Sequence, residues 1–394
     1  MMIALFGSGK TTQALAQIMS KAAFFEDIST AYLDEQGFWH YPANQFDPSK
    51  STLQIPSPGI PPSHPLIQKS RNLISEYDYF ANVMPASIWI SGTNGKTTTT
   101  KMTYHLLQQK KAQMGGNVGT PLAKLDSNAK FWILETSSFT LHYTKIAKPN
   151  IYLLLPITPD HLSWHGSMEA YEQAKLKPLS NMREGDVAIV PQKYASTPSK
   201  ALVIGYENSK DLAAKMEIDR TKIALDEPFL LDALLALSVQ KIVFDICDYE
   251  AINSFRQDAH KLEEFYDSEG RLWVDDSKAT NIDATMQALK RYRDKKIHLI
   301  LGGDSKGVDL SPLFEHLHNV HIYAIGKAAK EIVELAQYYG IACTYAGSLD
   351  IAVNEIKKVH TKESVALLSP ACASLDQFSS YKERGELFKQ YVLS

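Results

Sequence analysis

The stretch Ser91-Gly92-Thr93-Asn94-Gly95-Lys96-Thr97-Thr98-Thr99-Thr100 decides the fold of this chain. It follows Ala86-Ser87-Ile88-Trp89-Ile90, a short apolar run with β-branched and aromatic members, which predicts a strand. Beyond it Met102, His105, Leu106 and Leu107 recur at helical spacing up to Lys110-Lys111, so a helix is predicted to start at or near Thr97. Strand, glycine-lysine-threonine loop and helix N-terminus together make an anion site. Backbone N–H groups and the helix dipole face a phosphate, Lys96 adds a full positive charge, and the Thr97 hydroxyl can ligate Mg²⁺. The general phosphate-loop pattern G-x-x-x-x-G-K-[ST] is not met, because Ile90 stands where its first glycine would be. A plain glycine turn is the competing reading; nucleoside-triphosphate binding accounts better for the lysine and the threonines.

A chain of 394 residues, 44% of them apolar, is expected to hold two or three domains with real cores. Its net charge of −3 gives no reason to expect a nucleic-acid or anionic-membrane partner. No apolar run approaches the roughly 18 residues that span a bilayer. Met1 to Phe6 lacks a basic start and is too short for a signal peptide. Three scattered cysteines, Cys247, Cys343 and Cys372, predict a reducing, cytoplasmic setting without a disulfide framework or zinc site.

Upstream, Met2 to Phe6 reads as a strand ending in Gly7-Ser8-Gly9-Lys10-Thr11-Thr12. Two readings stand: a second phosphate loop, or the glycine-rich first turn of a small α/β domain that meets the diphosphate of a sugar nucleotide. Pro56-Ser57-Pro58-Gly59-Ile60-Pro61-Pro62 is a rigid turn in which Gly59 can take positive φ. A boundary follows at Met84-Pro85. Downstream, strands and helices alternate, the sign of a parallel sheet. Phe131 to Leu134 ends in Glu135-Thr136-Ser137-Ser138, and Asn150 to Leu155 runs on to Asp160-His161. Carboxyl ends of such strands share one edge, so Glu135, Asp160 and His161 are predicted to converge on the phosphate loop. There Glu135 would be a natural oxygen ligand for Mg²⁺. Met168 to Lys177 is a strong helix former whose lysines, Lys175 included, read from spacing alone as solvated.

The last third restarts the alternation. Leu272-Trp273-Val274 leads into Asp275-Asp276-Ser277-Lys278-Ala279-Thr280-Asn281, and Ile297 to Leu301 into Gly302-Gly303-Asp304-Ser305-Lys306-Gly307. His321 to Ile325 leads into Gly326-Lys327, and Val365 to Leu368 into Ser369-Pro370-Ala371-Cys372-Ala373-Ser374. Loops of small, polar and basic residues thus crown a Rossmann-like sheet, with Lys278 and Lys306 placed for a carboxylate or phosphate. The fold class is α/β in three domains, with Rossmann-like N- and C-terminal domains flanking a central P-loop ATPase-type, mostly parallel sheet domain. The predicted domains are 1–85, 86–257 and 258–394.

The phosphate loop and the last-third loops resemble the Mur ligase family, ATP-dependent enzymes of peptidoglycan precursor synthesis. Gly92 to Thr98 is similar to the family's shorter phosphate loop, which accounts for Ile90. Asp276 to Asn281, Gly302 to Lys306 and the ten-residue run Ser369 to Phe378 resemble the D-glutamate-adding members. The resemblance implies a cytoplasmic, ADP-forming ligase that joins D-glutamate to UDP-N-acetylmuramoyl-L-alanine through an acyl phosphate, acting as a monomer. By domain it implies the UDP-sugar on the first, ATP and Mg²⁺ on the second, and D-glutamate on the third.

By residue, the resemblance places Gly92, Thr93, Asn94, Gly95, Lys96, Thr97, Thr98 and Asp276 on the nucleotide. It places Gly59 and Asn117 on the sugar nucleotide, and Lys278, Thr280, Lys306, Ser374 and Tyr381 on D-glutamate. Two Mg²⁺ ions are implied, held by Thr97, Glu135, His161 and Lys175, the last as a carbamate. Lys96, His161 and Lys175 would be catalytic.

The chain departs from the family pattern at Phe229, where an ATP-contacting Asn is usual, and at Lys261, where Arg is usual; Lys cannot make the bidentate contact Arg makes. Tyr381 stands where Phe is often found. The rival readings are a related amide ligase, such as folylpolyglutamate synthase or the diamino-acid-adding Mur ligase, and a P-loop ATPase without an acceptor site.

Overall fold

The computed structural model describes residues 2–394. They divide into two compact units, one ending at Phe255 and the other running from Arg256 to Ser394.

The first unit carries two sheets. Strands β1 (Met2–Phe6), β2 (Ala22–Glu26), β3 (Tyr32–Leu33), β4 (Trp39–Pro42) and β5 (Ser51–Pro56) form a sheet of order β3-β4-β2-β1-β5. Its pairings are parallel except for the β3–β4 hairpin. The second sheet has the order β11-β10-β9-β6-β8-β7 and is parallel throughout. Its strands are β6 (Ala86–Ser91), β7 (Ala112–Gly116), β8 (Phe131–Glu135), β9 (Ile151–Leu154), β10 (Val187–Pro191) and β11 (Leu202–Tyr206). A parallel sheet is covered on both faces, which is why β9, and β8 up to its terminal Glu135, are apolar without alternation, and both are buried at every residue. Helix Phe229–Phe244 is buried nearly all round over its first three turns and lies against helix Lys96–Leu107, which leaves the phosphate loop.

The short helix Glu76–Phe80 connects the two sheets, held by a Ser75–Asp78 capping box. Its Tyr77 packs edge-on against Trp89 and its Phe80 against Trp132, so one core runs from Leu5 and Phe24 through to Tyr152 and Val190.

In the second unit β12 (Glu263–Tyr266), β13 (Leu272–Asp275), β14 (Lys296–Gly302), β15 (Val320–Ile325), β16 (Ala342–Gly347) and β17 (Ser364–Leu368) take the order β12-β13-β17-β14-β15-β16. Only β12 is antiparallel. Trp273, Ile300, Ile325, Leu368 and Phe388 fill its core. Three mostly parallel sheets, each with its helices, make the α/β architecture read from the alternation. Among the described residues no helix is long and apolar enough to cross a membrane.

The helix after the phosphate loop starts at Lys96, beside the predicted Thr97, with Gly95 as its cap. Two local expectations change. Gly59 stays outside the left-handed region and serves through its carbonyl, which accepts from the Trp164 indole N–H at 3.0 Å. Lys175 is buried, not solvated.

Candidate functional site

The loop at the end of β6 is shaped by two glycines. Gly92 (φ +141°) and Gly95 (φ +84°) lie where other residues are strained, and a Cβ on either would meet a neighbour at 2.5 Å, Leu155 Cβ for Gly92 and Asp232 Oδ1 for Gly95. Thr93 latches the loop to the end of β9. Its N–H donates to Pro156 O at 3.1 Å, its hydroxyl to Thr158 O at 3.0 Å, and Thr158 N–H returns a bond at 3.0 Å. The Tyr171 hydroxyl lies 3.0 Å from the same Thr93 oxygen. Lys96 folds back over the loop, donating to Gly92 O at 2.9 Å and Thr93 O at 2.7 Å. Behind it the buried Asp232 accepts from the Thr99 hydroxyl at 2.8 Å.

Glu135 ends β8 beside this loop and is 3% exposed. Its Oε1 accepts from Asn117 Nδ2 at 2.6 Å, and its carbonyl accepts from Asn117 N–H at 2.8 Å and from the Tyr77 hydroxyl at 3.3 Å. Its Oε2 is buried with no hydrogen-bond partner among the described residues. A buried carboxylate oxygen without a donor suits a hard cation, so this position fits Mg²⁺.

Lys175 lies on helix Met168–Asn181 and is 1% exposed. Its ammonium donates to Gly92 O at 2.7 Å and sits 4.7 Å from the centre of the Tyr171 ring. Burial first, then the charge of Lys96, pushes its pKa well below the ordinary lysine value, while Asp160 and Glu135 oppose the shift. The two carboxylates and the two lysines therefore share one electrostatic neighbourhood, as the strand-end argument predicted for Glu135 and Asp160.

His161 has a left-handed backbone (φ 54°), its N–H donates to Asp160 Oδ1 at 2.8 Å, and its ring meets Phe139 edge-on at 4.7 Å. Next to it, His165 Nε2 and Ser138 Oγ are 2.9 Å apart, and burial, reinforced by His142, His161 and Lys175, holds the His165 pKa near 4. The Gly59 loop is fastened to this wall by Trp164 and by the Tyr143 hydroxyl, which donates to Ile60 O at 2.6 Å. The N-terminal loop turns its hydroxyls inward: Ser8 donates to Glu26 Oε2 at 2.8 Å and Thr12 to Gly7 O at 2.6 Å, while Lys10 is exposed.

In the second unit Asp276 accepts from the Ser369 hydroxyl at 2.7 Å and from Leu262 N–H at 3.2 Å, and burial raises its pKa to about 7. Lys278 Nζ sits 6.0 Å from the Tyr381 ring centre, so these two predicted residues come together. Lys306 is exposed with left-handed φ (51°), on a groove of about 350 Å³ that it shares with Asp304, Lys327 and Glu331. Thr280 is exposed and Ser374 buried. Arg384, fully buried, ties two loops together: it donates to Ser277 Oγ at 2.9 Å, Ser277 O at 2.8 Å and Cys372 O at 3.2 Å. Asp232, Tyr171, Tyr77 and Arg384 were not singled out from the sequence. Asp232 alone left a signal, an acid inside the apolar run Phe229 to Leu237.

A phosphate loop opening a helix at the edge of a parallel sheet, with a buried carboxylate and two lysines around it, defines a nucleotide-dependent enzyme of the phosphate-loop class. The Mur ligase middle domain family matches residues 90–225. The chain is 56% identical to the UDP-N-acetylmuramoylalanine–D-glutamate ligase of Campylobacter jejuni (strain 81-176), over 100% of this chain and 99% of that one. It is 48% identical to the enzyme of the same name from Helicobacter pylori (strain 26695), over 100% of both. Its fold is similar to that of MurF ligase from Thermotoga maritima, solved in complex with ADP, with a TM-score of 0.60 at 13% identity over 94% of this chain and 95% of that one. This chain belongs to the UDP-N-acetylmuramoylalanine–D-glutamate ligase family.

Proposed function

We propose that this chain joins D-glutamate to UDP-N-acetylmuramoyl-L-alanine at the expense of ATP, forming ADP and phosphate, as a cytoplasmic monomer. The observation that carries the reading is the 56% identity to the Campylobacter ligase, which extends over both units.

In this reading the alanyl carboxylate of the sugar nucleotide takes the γ-phosphoryl group of ATP, giving an acyl phosphate and ADP. The amine of D-glutamate then attacks the acyl carbon and phosphate leaves. Lys96, at the mouth of the loop amides, neutralises charge on the β- and γ-phosphates. Thr97, Glu135, His161 and a carbamylated Lys175 would hold Mg²⁺, which when bound supplies charge neutralisation and orients the phosphates. Gly59 and Asn117 meet the sugar nucleotide, and Asp276 the ATP. Lys278, Thr280, Lys306, Ser374 and Tyr381 hold D-glutamate, two lysines answering its two carboxylates.

The test is phosphate release with ATP and Mg²⁺. Turnover is expected only when UDP-N-acetylmuramoyl-L-alanine and D-glutamate are both present. Comparable turnover with L-glutamate or a diamino acid, or ATP hydrolysis without the sugar nucleotide, would overturn the reading.

A further inference from the structure

The Glu135 carbonyl has a second donor from outside its own sheet. Tyr77 is 2% exposed, on the helix that connects the two sheets of the first unit, and its hydroxyl donates to that carbonyl at 3.3 Å. A carbonyl oxygen only accepts, so the phenol O–H is the donor in this bond. The Asn117 N–H donates to the same carbonyl at 2.8 Å, and the Asn117 side chain holds Glu135 Oε1 at 2.6 Å.

Between them Gly116 passes with φ +90°. A Cβ there would lie 2.4 Å from Glu135 O and 2.7 Å from the Tyr77 hydroxyl. No larger residue fits, so the ends of β7 and β8 and the Tyr77 hydroxyl close round one carbonyl. Glu135 Oε2 is what this leaves buried without a donor.

We propose that Tyr77 is a positioning residue for the divalent cation. Its hydroxyl, through the Glu135 carbonyl, fixes the strand end that aims Oε2 at the ion. The proposal rests on the reading of Glu135 as a Mg²⁺ ligand. Loss of a partner of a metal-ligating group typically changes metal affinity 10- to 100-fold, and because Tyr77 holds the backbone of Glu135 and not its carboxylate, the lower end of that range applies. Tyr77 lies in the helix between the sheets, so a hydrogen bond from that connection reaches the residue that carries Oε2.

The test is Mn²⁺ binding to the full-length, ADP-loaded chain, followed by electron paramagnetic resonance. Tyr77→Phe keeps the ring against Trp89, and Glu135 O keeps the Asn117 N–H, so the variant folds. Its Mn²⁺ dissociation constant is expected to rise about tenfold, while ADP affinity without metal and the melting temperature stay at wild-type values. Phe80→Leu, on the same helix but packed on Trp132, is expected to leave Mn²⁺ affinity unchanged. Tyr77→Phe with Mn²⁺ affinity within twofold of wild type, or equal weakening by Phe80→Leu, would overturn the proposal. A wild-type chain that binds no Mn²⁺ with ADP would instead refute the metal reading of Glu135, and the proposal with it.

Discussion

Lys96 and Lys175 donate to the same acceptor. The Gly92 carbonyl lies 2.9 Å from Lys96 Nζ and 2.7 Å from Lys175 Nζ. Two ammonium groups on one carbonyl repel, and Lys175 is the buried one, so its neutral form is favoured. A neutral amine adds CO₂ to give a carbamate and release a proton. A carbamate at Lys175 would convert that repulsion into attraction and supply an oxygen ligand for a bound cation.

Lys175→Ala is therefore expected to lose ligation by about 10²-fold or more. Added formate or acetate should restore part of the rate by filling the vacated anion site. The measurement is initial phosphate-release rate with and without the acid, beside ¹³CO₂ labelling of the wild type. A variant of normal rate, or a wild type without a carbamate carbon signal, counts against the modification.

Lys96→Ala is expected to cut turnover about 10²- to 10³-fold, the scale of losing one positioned charge on the reacting phosphoryl group. The melting temperature should change little beside the rate, since the Lys96 ammonium bonds to loop carbonyls, Gly92 O and Thr93 O, that water can serve. Thermal melts beside kcat would separate the two effects, and near-normal turnover would remove Lys96 from the mechanism.

Gly385→Ala reverses a usual sign. Gly in a helix interior normally costs about 1 kcal/mol against Ala, and Gly385 lies within helix Tyr381–Leu393. Here a Cβ would stand 2.2 Å from His260 Nδ1 and 2.7 Å from Asp275 Oδ2, the two atoms that pair at 2.7 Å. Both side chains are buried and cannot swing away. Net destabilisation of about 1–3 kcal/mol is expected by denaturant titration; a stabilised variant would contradict the packing described.

His298 makes stability depend on pH. It is 1% exposed, with Nε2 buried and unpartnered among the described residues. Burial, then the nearby charges of His360, Lys296 and His321, lowers its pKa from 6.5 to about 4. Between those values the unfolded chain binds the extra proton and the folded chain does not. Stability should thus fall as pH drops from about 6.5 to about 4 and then level off, by up to about 3 kcal/mol for this group. Denaturant midpoints across that range would check it. His298→Gln should flatten the slope, and an unchanged slope would assign the effect elsewhere.

The sheets were legible because a parallel strand buried on both faces is a plain apolar run, as at Phe131 to Leu134, and its terminal loop is polar. That rule led to Glu135 and Asp160 as well. Lys175 was not legible from spacing: a helix period reports which face a residue takes, not that this face lies under a phosphate loop. Tyr77 and Arg384 act across 58 and 107 residues, on Glu135 and Ser277, and a local pattern carries no trace of such contacts. Gly59 was misjudged in conformation because its flanking prolines already shape the turn.

Strand β6 has a consequence for how the molecule is made. It carries the phosphate loop, yet both of its neighbours come later in the chain: Ile88 lies opposite Ile133 on one side and Ile151 on the other. A nascent chain that has just emerged past Leu107 holds every residue of the loop but neither flanking strand nor the Thr158 latch. Nucleotide can therefore give no early help to folding during synthesis. Until β8 is out, Ile88, Trp89 and Ile90 form an apolar strand with two open edges, and until β9 is out one edge stays open, the kind of segment on which chaperones act and at which chains aggregate.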